Sequence, residues 1–216
     1  MSTLIPFSQT IRERTRAIHT KTEGAAFIAE LVDGKRSKED YAALLGQLSF
    51  VYEALERVAE ALRDDPVASP FVDEKLTRLP AIEADLEFLI GRDWRDATRP
   101  LPATRRYVER IEEMAAWPGG FVAHHYTRYL GDLFGGQAIR AVLQRQHGFD
   151  TNGVGFYIFA DIAKPKLFRD TYREQLDSAP WDEAEQERVV AEVANAFALN
   201  GALFDDLADA TAVRVA

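Results

Sequence analysis

The segment His124–Gln137, HHYTRYLGDLFGGQ, constrains this chain more than any other. It opens as an amphipathic helix, with Tyr126, Tyr129, Leu130 and Leu133 at helical spacing, yet carries Gly131, Gly135 and Gly136 inside the same apolar pattern. Each interior glycine costs a helix about 1 kcal/mol relative to alanine, so three forfeit roughly 3 kcal/mol unless something must approach the bare backbone. Gly131 and Gly135, four apart, share one face, and Arg128 and Asp132, also four apart, share the adjoining one. The pattern predicts a kinked helix that faces a flat or bulky ligand.

The rest of the chain supplies helices to pack around it. Thr10 and Glu13 have the spacing of a capping box for a first helix carrying Ile11, Ile18 and His19 towards Gly24. Phe27, Ile28 and Leu31 mark a second, short helix. Ser37 can cap a long third one, whose stripe runs through Tyr41, Leu44, Leu45, Leu48, Val51, Tyr52, Leu55, Val58 and Leu62. Helical patterns recur at Leu76–Leu89 and Tyr107–Met114, the second stopped by Trp117, Pro118 and Gly119. The glycine-bearing helix is expected from about Phe121 to His147, with Gly148 as its stop. TNGVGFYIF reads as a loop, and two further helices follow at Asp161–Leu176 and after Pro180. With 216 residues and 47% hydrophobic content, the expectation is one all-α domain over 1–216, a bundle of about eight helices with flexible ends at 1–7 and 209–216.

The net charge of −9 argues against nucleic acid or an anionic membrane as the main partner. The absence of cysteine excludes disulfides, thiolate metal sites and a cysteine nucleophile. The start, MSTLIPFSQT, lacks the basic region and long apolar core of a secretory signal, and no apolar run approaches the ~20 residues that span a bilayer. A cytoplasmic protein without a stable membrane anchor is expected.

Four histidines are available for chemistry. His19 has Glu23 one helical turn on, which can orient the ring nitrogen that does not bind metal, and a single axial histidine suits haem iron. A half-buried helix histidine with a surface partner is the structural alternative. His124 and His125 are adjacent and diverge, and His147 sits at a helix end, so none of these three is assigned to metal. A di-iron carboxylate site needs Glu-x-x-His pairs, and no histidine here has a glutamate three residues before it. Arg12 lies two turns before His19 on nearly the same face. Lys164, Lys166, Arg169 and Arg173 form a basic cluster that suits carboxylates or is a solvated face paired with Asp170 and Glu174. Tyr52 and Asn200 are polar at core-phase positions, and Phe197 belongs to an apolar stripe with Phe204 and Leu207.

These residues together resemble the haem oxygenases. YTRYLGDLFGGQ is similar to the family's distal-helix motif and IHTKTEGAAF to its proximal-histidine segment; LSFVYEALER, FRDTYREQLD and AFALNGALFDDL follow in the family's order. The resemblance implies haem b held between a proximal helix and a kinked distal helix. His19 would be the proximal iron ligand and Glu23 its support. Gly131 and Gly135 would face the distal side, and Asp132, with Arg128, Tyr52 and Asn200, would hold the waters that deliver protons for the oxygen chemistry. Arg12, Tyr126, Arg169 and Arg173 match positions that hold the haem propionates, and Phe197 matches a pocket-lining residue. The implied activity opens haem to biliverdin, iron and carbon monoxide with dioxygen and electrons from a reductase, ferredoxin or flavodoxin. A haem-binding or haem-delivery protein without turnover is the alternative. One departure stands out: the family motif usually reads DLSGGQ, and Phe134 occupies the serine position, pointing either into the pocket or into the bundle core.

Overall fold

A computed structural model describes residues 5–212 of the chain, and among these there are helices and turns but no β-strand. The first helix, α1, spans Phe7–Glu23, earlier than the Thr10 capping box predicts. Pro6 stands at its N-cap, Phe7 is buried with its ring edge-on to Trp181 at 5.4 Å, and the Ser8 amide donates to Asp177 Oδ1 at 2.7 Å. Burial of Phe7 and the tie to Asp177 fix the start four residues upstream, so Thr10 turns back onto the Pro6 carbonyl and Glu13 accepts from Gln9. Of the ends expected to be flexible, residues 5–7 and 209–212 are described; Phe7 is packed and the last helix runs through Ala212, with Thr211 buried. Residues 1–4 and 213–216 lie outside the described residues.

The second helix, α2, spans Ala26–Val32, and α3 spans Lys38–Ala61. Ser37 and Asp40 exchange side-chain and backbone hydrogen bonds at its start, the reciprocal cap that satisfies two otherwise orphaned donors. Its predicted stripe from Tyr41 to Leu62 is buried throughout. Then come α4 (Leu79–Ile90), a short α5 (Trp94–Ala97) and α6 (Pro102–Glu113), α4 and α6 packing against α3.

The glycine-bearing helix is not one regular helix from 121 to 147. It consists of α7 (Pro118–His125), a π turn (Tyr126–Leu130), α8 (Gly131–Phe134) and α9 (Gly136–His147). A π turn closes i→i+5 hydrogen bonds and is a recognised cause of kinking. Gly148, at φ +70°, ends α9 in the left-handed region, donating to the Gln144 carbonyl. TNGVGFYIF contains no strand, only the 3₁₀ turn Gly155–Tyr157. The helices α10 (Pro165–Ser178) and α11 (Glu183–Ala212) complete the bundle. α11 packs along α1, α2, α6 and α7, so one long helix spans both ends of the site. No helix among the described residues is long and apolar enough to cross a membrane.

Candidate active site

A cavity of about 520 Å³ opens between α1, α2, α3, the glycine-bearing helix and α11. Its walls are largely aliphatic and aromatic, including Ile28, Leu44, Leu48, Ile139, Phe197 and Phe204, with a few convergent polar groups, the composition typical of a small-molecule site.

His19 reaches this cavity from the penultimate turn of α1. Its Nδ1 lies 3.3 Å from Glu23 Oε2, the i,i+4 partner, and the ring stands edge-on to Phe197, centroids 5.0 Å apart. Thr22 Oγ1, one turn on, lies 3.0 Å from the carbonyl oxygens of both Ile18 and Phe197, pinning α1 to α11 beside the histidine. Glu23 and Phe197 line the cavity as well.

The glycines divide by role. A Cβ built on Gly131 meets nothing within 4 Å, and one on Gly135 meets only the Gly131 carbonyl at 3.0 Å; both residues line the cavity. Gly136 also borders it, but there a Cβ would stand 2.4 Å from Tyr157 Cδ1, so that glycine is needed for protein packing. Phe134 lies outside the cavity lining. Its ring faces a second space among Leu133, Gln137, Arg140 and Pro165, under the Arg169 guanidinium.

At the cavity edge, four polar residues form one network. Arg128 is buried; its Nη1 donates to Asn200 Oδ1 at 2.8 Å and its Nη2 to Asp132 Oδ2 at 2.8 Å and Oδ1 at 3.1 Å. Tyr52, which does not line the cavity itself, donates its phenol to Asp132 Oδ2. Burial opposes the Arg128 charge, but Asp132 and then Tyr52 outweigh it and carry its pKa upwards. Burial raises the Asp132 pKa, held back by Arg128 and the Tyr52 hydroxyl. The Tyr52 phenol is pushed well up by burial and then by Asp132. The result is a fixed guanidinium, a neutral phenol and a carboxyl group whose affinity for a proton exceeds that of an ordinary aspartate.

Besides Tyr52, four predicted residues lie outside the cavity lining: Arg12, Tyr126, Arg169 and Arg173. Arg12 is exposed on α1, and Tyr126 is half-buried against Tyr172. Burial raises the Tyr126 pKa while Arg173 and Arg12 lower it, which puts both cations in its electrostatic neighbourhood. Arg169 and Arg173 share Asp170, at 3.6 and 3.8 Å.

Sequence reasoning passed over three groups. Tyr157 is 2% exposed and lines the cavity; burial and then Asp132 push its phenol well up. Asp85 accepts from the amides of Gly153, Gly155 and Phe156, at 2.8–3.0 Å, and so shapes the loop that delivers Tyr157. Its signal was an acidic residue in apolar phase between Ile82 and Leu86. Glu192 is buried and receives Arg110 in a fork and His124 Nε2, while His125 Nδ1 pairs with the Tyr172 hydroxyl at 2.9 Å. Both histidines are thus committed to the bundle interior.

Comparison with known proteins bears on this geometry. A family model described as heme oxygenase matches residues 5–206. Heme oxygenase 1 of Synechocystis is 38% identical over 198 residues, covering 91% of this chain and 82% of the relative. Human heme oxygenase 1 is 35% identical over 204 residues, covering 93% and 71%. A crystal structure of the Synechocystis enzyme in complex with heme superposes with a TM-score of 0.90 over 98% of both chains, at 36% identity. The heme oxygenase structure from Leptospira interrogans gives 0.87 at 33% identity, over 93% of this chain and 98% of that one.

Proposed function

The chain belongs to the haem oxygenase family, and on that premise we propose that it opens haem to biliverdin, ferrous iron and carbon monoxide. In this reading haem b is prosthetic group and substrate, dioxygen is co-substrate, and a reductase, ferredoxin or flavodoxin supplies electrons. The residues fit such a ligand. His19 and the bare backbone of Gly131 line the same apolar cavity from different helices, and an added Cβ at Gly131 meets nothing. That pairing of an imidazole with an unhindered helix backbone is the observation that carries the assignment.

When bound, haem supplies the iron that activates dioxygen and the macrocycle that is consumed. The protein's part is orientation and proton control. His19 would offer Nε2 to the iron while Glu23, 3.3 Å from Nδ1, holds the ring in place. Gly131 and Gly135 leave the space next to the helix free. Asp132 is held from two sides, by Tyr52 Oη and Arg128 Nη2, and Asn200 fixes the guanidinium in turn. The carboxyl oxygens keep lone pairs to order a water at the cavity edge, from which a proton passes inward. Arg12, Tyr126, Arg169 and Arg173 would supply cations and a phenol for the haem carboxylates, with the arginine fork suited to bidentate contact.

The deciding experiment is haemin titration of His19→Ala, followed by absorption and electron paramagnetic resonance spectra. Loss of the axial nitrogen signature and of turnover under reductant is expected. Unchanged coordination and turnover would remove His19 from the iron.

A further inference from the structure

Phe134 sits between Leu133, which is buried, and Gly135, which is bare towards the large cavity. Its own ring turns to a different space of about 340 Å³, shared with Gln137 and Arg140 of the same helix and Pro165 at the start of α10. Over that ring stands Arg169 of α10, its guanidinium carbon 4.8 Å from the centroid, within the range at which a cation is drawn to an aromatic face. The other attachments of Arg169 are loose. Its Nε lies 3.6 Å from Asp170 Oδ1 and, among the described residues, makes no hydrogen bond although it is shielded from water. A long side chain held by so little samples many rotamers unless a surface restrains it. Here the restraining surface is the phenyl ring.

The stack also joins two elements that carry different parts of the site. α10 supplies Arg169 and Arg173, whereas α8 and the residue after it supply Gly131, Asp132 and Gly135. We propose that Phe134 is a positioning residue: its ring fixes the Arg169 guanidinium relative to the glycine-bearing helix and thereby sets the in-plane orientation of haem in the cavity. The proposal rests on the reading of Arg169 as an anchor for a haem carboxylate. With the anchor tied to that helix, the carboxylate end of the ligand cannot swing independently of the wall that faces the iron. The macrocycle edge presented to Gly131 and Asp132 then depends on Phe134, although Phe134 does not border the ligand.

Three variants separate the possibilities. Phe134→Leu keeps apolar volume and removes the ring face, Phe134→Tyr keeps the face, and Arg169→Leu removes the anchor. In the haem-free protein, the Arg169 Nε proton resonance should carry an aromatic ring-current shift in the wild type and in Phe134→Tyr, lost in Phe134→Leu. Its absence from the wild type would overturn the proposal without reference to haem. On haemin titration, Phe134→Leu should raise Kd about two- to fivefold, the range of a partly exposed cation–aromatic contact, and Arg169→Leu, which removes the anchor itself, at least as much. The double variant should be no weaker than Arg169→Leu alone. The haem methyl shifts of the ferric cyanide complex should move in Phe134→Leu and stay in place in Phe134→Tyr. Weakening by Arg169→Leu with wild-type affinity and methyl shifts in Phe134→Leu would overturn the positioning role while sparing the carboxylate anchor. Wild-type affinity in Arg169→Leu, with the ring-current shift present, would overturn the anchor reading itself.

Discussion

Gly131 and Gly136 lie five residues apart, at the starts of α8 and α9, and the same substitution should affect them in opposite directions. Alanine exceeds glycine in helix propensity by about 1 kcal/mol, a gain common to both sites. At Gly131 the new methyl meets nothing within 4 Å, so the gain should stand, raising Tm of the haem-free protein by roughly 2–4 °C for a chain of this size. At Gly136 the methyl would stand 2.4 Å from Tyr157 Cδ1 and 2.9 Å from Cε1. Tyr157 is hemmed in by Phe156, ring centroids 4.7 Å apart, and by Tyr41, so it has little room to retreat. Overpacking of this kind costs about 1–3 kcal/mol. Because the propensity gain cancels in the comparison, Gly136→Ala should melt roughly 2–12 °C below Gly131→Ala. Thermal unfolding followed by circular dichroism measures the difference, and haemin titration should show weakened or altered binding in Gly131→Ala despite its higher Tm. Equal melting temperatures, or a Gly131→Ala protein less stable than Gly136→Ala, would refute the division of the glycines into one kept bare for ligand and one for packing.

Asp132→Asn preserves shape and should bind haemin with little change, but biliverdin formation under reductant should fall about a hundredfold or more, the scale of a lost proton donor; wild-type turnover would take Asp132 out of the chemistry. His125 is buried and its pKa falls to about 3, from an ordinary 6.5. The folded protein therefore binds fewer protons than the unfolded chain between those values, so this stability is complete above pH 6.5 and declines as pH falls. By pH 5 the loss is about 2 kcal/mol. His125→Gln, which can still meet Tyr172, should lose that part of the slope of Tm between pH 7 and 5, and parallel slopes would contradict the assignment. Asp85→Ala strands the amides of Gly153, Gly155 and Phe156 and should cost roughly 3 kcal/mol or more by denaturant unfolding, each abandoned donor contributing about 1–3 kcal/mol. An unshifted midpoint would show that water replaces the carboxylate.

What the sequence disclosed, and what it withheld, follows from the range of the interactions involved. The α3 stripe was legible because burial repeats with the helical period, and Ser37 was legible because its cap partner is three residues away. Gly131 and Gly135 were legible as costs without a local benefit. The α1 start was misread at Thr10 because Phe7 and Ser8 are fixed by Trp181 and Asp177, distant in the chain. The π turn escaped because over a single turn its apolar spacing differs little from that of an α-helix. Asp85 and Tyr157 escaped for a similar reason: the loop is ordered by a carboxylate about 70 residues upstream. Among the described residues, Arg12, Arg169 and Arg173 make no ion pair with a buried carboxylate, so spacing alone could not distinguish them from a solvated face. Only the resemblance to a family gave them a ligand.

The five residues Tyr126–Leu130 carry a further consequence. An α-helix advances about 100° per residue, and a π turn accommodates one residue more than the α turn it replaces. Winding the same residues as a regular α-helix, with none removed, would rotate Gly131, Asp132 and Gly135 by about 100° relative to α7, carrying the bare backbone off the cavity and the carboxylate away from Tyr52. The turn works as a dial whose setting is the hydrogen-bond register. Within it, the hydrogen-bond register is more tightly constrained than residue identity, and a reversion of the same residues to α geometry would misalign the site even if every side chain in the network were retained.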